Sequence, residues 1–160
     1  MAIKVGDKVP QVTFRTMTSD GPQEVTSDEL FSGKKVALFA LPGAFTPTCS
    51  AKHLPGYVQQ GDAIKAKGVD TIACTAVNDA FVMGAWGKAQ DVGDSVMMVA
   101  DGSAKFVTAA GLDSDMSAKG FGVRSQRFSM VVDDGTVTSL QIDAPGTFEN
   151  TSAEVMLGAL

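Results

Sequence analysis

The segment that most constrains the fold is Lys35-Val36-Ala37-Leu38-Phe39-Ala40-Leu41, an uninterrupted apolar run behind a single lysine. A run of that length without alternation reads as a strand covered on both faces. Ahead of it, Thr26-Ser27-Asp28-Glu29 has the form of a capping box opening a short helix, with Gly33 placed to close it. Behind it come a Gly/Pro loop and a helical pattern over 48–67. Leu54, Tyr57, Val58 and Ile64 share one face of that helix, and Gly68 sits at the C-terminal cap position. The alternation then repeats. A strand spans 69–77, and Asn78 can cap a helix with Phe81, Val82, Ala85 and Trp86 on one side. A third strand spans 96–100, and a short helix over 103–110 ends at Gly111. The last third reads as a hairpin, 127–132 and 136–142, turned by Asp133-Asp134-Gly135, whose aspartates are turn residues rather than metal ligands. A final helix over 151–160 would use Val155, Met156 and Leu160. This order predicts an α/β fold, a mixed central sheet flanked by helices, in one domain over 1–160.

At 160 residues the chain can bury a core without metal or disulfide staples. A net charge of −5 argues against nucleic acid or an anionic membrane as partner. The opening Met1-Ala2-Ile3-Lys4-Val5-Gly6-Asp7 lacks the apolar core of a secretory signal, so a cytoplasmic protein is expected. Two cysteines, Cys49 and Cys74, are too few for a secreted disulfide scaffold, and with the only histidine, His53, they cannot complete a zinc site without carboxylates. No metal and no cofactor is therefore expected, and the thiols, if functional, are reactive rather than structural.

One of them is well placed for reaction. In Leu41-Pro42-Gly43-Ala44-Phe45-Thr46-Pro47-Thr48-Cys49 a buried strand ends and a helix begins, with Thr46 as N-cap, Pro47 at the first helical position and Cys49 in the first turn. Free N–H groups and the positive dipole end favour an anion there, and a thiolate is such an anion. The alternative is a cysteine serving as a small inert hydrophobe. A dithiol reductase would need a second cysteine where Lys52 stands. A cysteine–histidine hydrolase is disfavoured because His53 lies on the same helix as Cys49 with no third residue to orient it; a half-exposed, hydrogen-bonded histidine is expected.

Pro42-Gly43-Ala44-Phe45-Thr46-Pro47-Thr48-Cys49 resembles the Pro-x-x-x-Thr-x-x-Cys motif of peroxiredoxins, and Ser50-Ala51-Lys52-His53-Leu54-Pro55-Gly56 is similar to their atypical type II (peroxiredoxin-5) branch. Val77-Asn78-Asp79-Ala80-Phe81-Val82 and Arg127-Phe128-Ser129-Met130-Val131-Val132 match in order. The resemblance implies a thioredoxin-like fold and a thiol peroxidase acting on hydrogen peroxide and small organic hydroperoxides. Cys49 would be the peroxidatic cysteine and Thr46 the hydroxyl that meets the peroxide. Pro42 would shield the sulfur, and Arg127 would come from the hairpin onto the thiolate; without the resemblance, Arg127 reads as a surface ion-pair residue. Donors aimed at the leaving oxygen are what such a reaction requires, and a planar guanidinium can serve sulfur and oxygen together.

Some members of this branch place a resolving cysteine where Thr151 stands here. The resemblance then leaves two routes for the sulfenic acid: an external thiol, glutathione with glutaredoxin or thioredoxin, or Cys74, which lies in an apolar strand and reads as buried and inert. It also implies a homodimer packed through the active-site loops, for which Phe45, Phe81 and Phe121 could supply an apolar patch. The competing function is a peroxide sensor or redox-regulated, chaperone-like binding protein built on the same cysteine.

Overall fold

In the computed structural model, which describes residues 2–160, an N-terminal hairpin of β1 (Thr13–Thr18) and β2 (Gly21–Thr26) precedes α1 (Ser27–Phe31) and β3 (Lys35–Ala40). The capping box forms: Thr26 Oγ1 accepts from the Glu29 N–H, and the Glu29 side chain accepts from the Thr26 N–H. Val36 to Ala40 are fully buried. Phe39 stacks on Tyr57 with ring centroids 3.9 Å apart and planes 8° from parallel. Burying each such aromatic stabilises the fold by about 1.5–3 kcal/mol.

The helical stretch expected over 48–67 is broken. A π-helical turn occupies Cys49–His53, followed by α2 (Leu54–Gln59) and α3 (Gly61–Ala66). The Leu54 N–H reaches back five residues to the Cys49 carbonyl. Pro55 explains the widening: it has no N–H to offer the Ala51 carbonyl, and its ring crowds that oxygen. β4 (Thr71–Ala76) and α4 (Ala80–Ala89) follow. The cap of α4 is Asp79, whose Oδ1 accepts from the Val82 N–H, and not Asn78. The buried face of α4 is accordingly Ala80, Met83, Trp86 and Gly87, while Phe81 is 67% exposed.

Next come β5 (Met97–Ala100) and α5 (Lys105–Ala109), then a small antiparallel pair that the sequence pattern does not signal, β6 (Asp113–Asp115) and β7 (Val123–Ser125). The expected hairpin is β8 (Phe128–Asp133) and β9 (Thr136–Ile142). Asp134 and Gly135 turn it with φ of 48° and 80°, both left-handed as a primed turn requires. α6 (Ala153–Ala159) is capped by Ser152 and buries Ala153 and Met156, leaving Val155 largely in solvent.

The other seven strands form one sheet in the order β2-β1-β5-β4-β3-β8-β9. β3, β4 and β5 run parallel, whereas β1, β8 and their hairpin partners make the sheet mixed. Alternate side chains of the central strands enter two cores, one around Phe39, Leu54, Tyr57 and Trp86, the other around Phe14, Phe31, Phe106 and Phe128. The first core lies under the turn that carries Cys49. The N-terminal end of β8 lies beside the C-terminal end of β3, with Phe128 paired to Ala40. Arg127 therefore arrives next to the loop that begins at Leu41.

Candidate active site

The loop after β3 and the π-helical turn are each tethered by a side chain from elsewhere in the fold. The Ala44 N–H donates to Asn78 Oδ1 at 2.9 Å, which is the task Asn78 performs in place of capping α4. Trp86 Nε1 donates to Ser50 Oγ at 3.0 Å. Phe45 sits at φ 61°, a conformation costing an L-residue roughly 1–2 kcal/mol, with its ring 57% exposed. Pro47 is the first helical residue, and the Ser50 N–H bonds the Thr46 carbonyl at 2.9 Å. Thr46 thus occupies the cap position but does not cap. Its hydroxyl donates to the Gly43 carbonyl at 2.7 Å, so its oxygen is left to accept, and the residue lines a cavity.

That cavity measures about 440 Å³ and includes Pro42, Thr46 and Arg127 in its wall. Cys49 lies a layer deeper, 1% exposed. The structure brings Arg127 to it: Nη2 is 3.3 Å from the Cys49 sulfur, and among the described residues Arg127 has no acidic partner. The ion-pair reading of this arginine does not hold.

The second arm of the guanidinium shows why it stays there. Arg127 Nη1 lies 2.7 Å from His53 Nδ1. Because a guanidinium only donates, Nδ1 must accept and the imidazole proton must sit on Nε2. That nitrogen donates to the Thr151 carbonyl at 3.1 Å, an oxygen that also accepts from Tyr57 Oη at 2.9 Å. His53 is therefore not half-exposed, as expected, but fully buried between the rings of Phe39, Tyr57 and Phe148. Nor does it lack an orienting residue, since Arg127 and Thr151 fix both nitrogens. Burial, and then the neighbouring Arg127 charge, lower its pKa to about 3, so it is neutral near pH 7 and able to accept.

Thr151 is positioned in turn by Asp143, which is 2% exposed. Asp143 accepts from the Thr151 hydroxyl at 2.7 Å and from the N–H groups of Asn150 and Glu149 at 2.8 and 3.2 Å. Burial raises this carboxyl, but those bonds outweigh it and hold the group below the ordinary carboxylate range. The Asp143 N–H closes the loop on the Arg127 carbonyl at 2.9 Å.

Cys74, on β4, is fully buried in the same core as Cys49. Burial, and then the proximity of Cys49, push its thiol well above the usual range. The roles of His53, Tyr57, Asp143 and the Thr151 carbonyl were missed in the sequence. The one available signal was His53, four residues past Cys49 and the only histidine of the chain.

The arrangement sets a recessed thiol against a guanidinium, with the Thr46 hydroxyl in the wall of the cavity before them. The Redoxin family profile matches residues 4–157. Peroxiredoxin-2B of Arabidopsis thaliana is 46% identical over 99% of this chain and 98% of that protein. The chain is a peroxiredoxin. Peroxiredoxin-2E, chloroplastic, of the same plant is 47% identical, covering 99% of this chain and 70% of that one. Among solved structures, reduced Prx3 of Vibrio vulnificus in complex with hydrogen peroxide superposes with a TM-score of 0.94 at 51% identity, over 98% of each chain. As a peroxiredoxin the chain is a thiol peroxidase, an oxidoreductase with the thioredoxin-like arrangement described above.

Proposed function

We propose that this peroxiredoxin reduces hydrogen peroxide and small organic hydroperoxides through a sulfenic acid at Cys49. The Cys49 thiolate attacks the terminal hydroperoxide oxygen in line. A sulfur–oxygen bond forms, the oxygen–oxygen bond breaks, and the departing alkoxide or hydroxide takes up a proton to leave as alcohol or water. The sulfur loses the two electrons that the peroxide gains. Arg127 bears the charge on the leaving oxygen, the Thr46 oxygen accepts from the hydroperoxide O–H, and Pro42 keeps water from the sulfenic acid. The observation that carries this reading is the Arg127 guanidinium, 3.3 Å from the sulfur and fixed by His53 on its other arm.

The sulfenic acid is reduced by an external thiol, glutathione with glutaredoxin or thioredoxin. Support comes from the burial and raised pKa of Cys74 and from Thr151 at the place of the alternative resolving cysteine. The enzyme works as a homodimer through its exposed aromatic residues, Phe45 of the active-site loop, Phe121 and Phe81 of α4. A cytoplasmic setting suits a chain whose two cysteines are both free. The test adds one equivalent of peroxide to reduced protein without other thiols. A dimedone adduct should form on Cys49, and Cys49→Ser should abolish turnover with glutaredoxin and with thioredoxin. Substantial turnover by Cys49→Ser overturns the proposal.

A further inference from the structure

Arg124 stands half-buried in the wall of the cavity before Cys49, and among the described residues it has no acidic partner within ion-pair distance. Its hydrogen bonds go to main-chain carbonyls instead. Nε donates to the Phe121 carbonyl at 3.0 Å, and Nη1 donates across to the Pro42 carbonyl at 3.3 Å. Cζ also lies 5.7 Å from the Phe121 ring centroid, so one side of the guanidinium is fixed on its own loop while the other meets the active-site loop. Gly43 makes room for it: a Cβ there would fall 2.7 Å from Nη1.

The same glycine creates a need for the contact. Glycine restricts φ and ψ little, so the peptides on either side of Gly43 can turn unless something holds them. Each is held by a side chain from elsewhere. The Pro42–Gly43 peptide gives its carbonyl to Arg124, and the Gly43–Ala44 peptide gives its N–H to Asn78 Oδ1 at 2.9 Å. The second peptide also carries the Gly43 carbonyl, which accepts from the Thr46 hydroxyl at 2.7 Å. The direction of that carbonyl therefore decides which way the hydroxyl donates, and so leaves the Thr46 oxygen to accept from a hydroperoxide.

Arg124 is delivered by β6 and β7. It pairs with Ser114 across that small sheet. At the base of the excursion the Gln126 N–H donates to the Leu112 carbonyl at 2.8 Å, and Gln126 Nε2 donates to the Asp113 carbonyl at 3.2 Å. Toward its tip the Met116 N–H donates to the Gly122 carbonyl at 2.7 Å, and the Phe121 N–H donates to the Met116 carbonyl at 3.1 Å. So short and polar a pair adds little to either core, but it sets the arginine rigidly beside the active-site loop.

We infer that Arg124 is a positioning residue for the peroxide step: through the Pro42 carbonyl it fixes the turn at Gly43, and with it the hydrogen bond that makes Thr46 an acceptor. It acts through Thr46 and not on the sulfur. The inference rests on the peroxidase reading and adds a residue to that same site.

The experiment measures two rates at Cys49 on reduced protein without other thiols. One is sulfenic acid formation with hydrogen peroxide, by rapid quench and mass. The other is alkylation by iodoacetamide, which needs the thiolate but no acceptor for a hydroperoxide proton. Arg124→Ala should slow oxidation by about tenfold, less than the roughly hundredfold that a 1 Å misplacement of a reacting group can cost. Alkylation should keep its wild-type rate. Arg124→Lys can meet one of the two carbonyls and should recover part of the loss. In a Thr46→Val background Arg124→Ala should add nothing, because residues that act as one unit are not additive. Wild-type oxidation in Arg124→Ala overturns the inference. So does a parallel change in both rates, which would mark a general structural role or an effect on the thiolate, and so does an undiminished loss in the Thr46→Val background. If the unmodified protein forms no sulfenic acid with peroxide, the peroxidase reading itself fails.

Discussion

Acidification offers a sharp test of the hydrogen-bond relay behind Cys49. His53 ordinarily titrates at 6.5, but in the folded chain burial and the adjacent Arg127 bring it to about 3. Above 6.5 neither state carries the proton. Below it the unfolded chain takes one up and the folded chain does not, so stability falls as the pH drops from 6.5 toward 3. At pH 4.5 the unfolded histidine sits two units below its pKa, which corresponds to about 3 kcal/mol of lost stability. In urea that should lower the midpoint by about 1–2 M. The groups facing the ring bear on the window in different ways. Arg127 stays cationic, and Asp143, held below the ordinary carboxylate range, keeps its charge at pH 4.5; away from the ring, Asp101, raised by burial at the start of α5, acts in the opposite sense. Because the chain has one histidine, its imidazole Cε1–H proton gives a single unambiguous NMR titration. Urea curves at pH 7 and 4.5 should show the loss in the unmodified protein, and a much shallower pH dependence in His53→Gln, whatever that variant's absolute stability. A histidine signal titrating near 6.5 in the native state, or the same pH dependence in both proteins, would refute the relay.

Thr46→Val removes the hydroxyl while keeping the shape and should lower the rate of Cys49 oxidation by about a hundredfold, whereas Thr46→Ser keeps most of it. Arg127→Lys retains charge but cannot bridge Cys49 and His53 at once, so stopped-flow oxidation should be slowed there as well; wild-type rates in both Thr46→Val and Arg127→Lys would favour the sensor function. Cys74→Ala, chosen because a serine would bury an unpaired hydroxyl, should retain glutaredoxin-coupled turnover, and its loss together with a Cys49–Cys74 disulfide by mass would make Cys74 the resolving thiol. Asp79→Ala should cost about 1 kcal/mol in urea unfolding by uncapping α4, with no change of that size if the cap is dispensable.

What the sequence disclosed follows from what side-chain patterns can encode. The apolar run of β3, the capping box at Thr26 and the primed turn at Asp134-Gly135 are local features, and they formed where expected. The pattern misjudged what depends on a competing donor. Asn78 and Asp79 are both good caps, and which one caps α4 was decided by the Ala44 N–H, far away in sequence. The helix after Cys49 had the right periodicity, but Pro55 reshaped its first turn. Pro42, Thr46, Cys49 and Arg127 were named from the motif shared with peroxiredoxins, since side-chain pattern alone left Arg127 an ion-pair residue, and the structure brings its guanidinium to 3.3 Å from the Cys49 sulfur. The role of His53 was not legible, because its environment is assembled from Phe39, Phe148 and Thr151, which lie on separate segments. The pair β6 and β7 is short and polar, and without an apolar face to bury it leaves no periodic trace.

The acceptor at the end of the relay is a main-chain oxygen. Tyr57 and His53 both anchor to the carbonyl of Thr151, and every amino acid supplies that atom. Position 151 can therefore change its side chain, to cysteine for example, and still present the same oxygen, provided the strap from Asp143 keeps its path. Such a contact has no codon of its own. It would leave no mark at position 151 in a family of sequences, and its trace would fall instead on the groups that aim at it and on the carboxylate that shapes the bend.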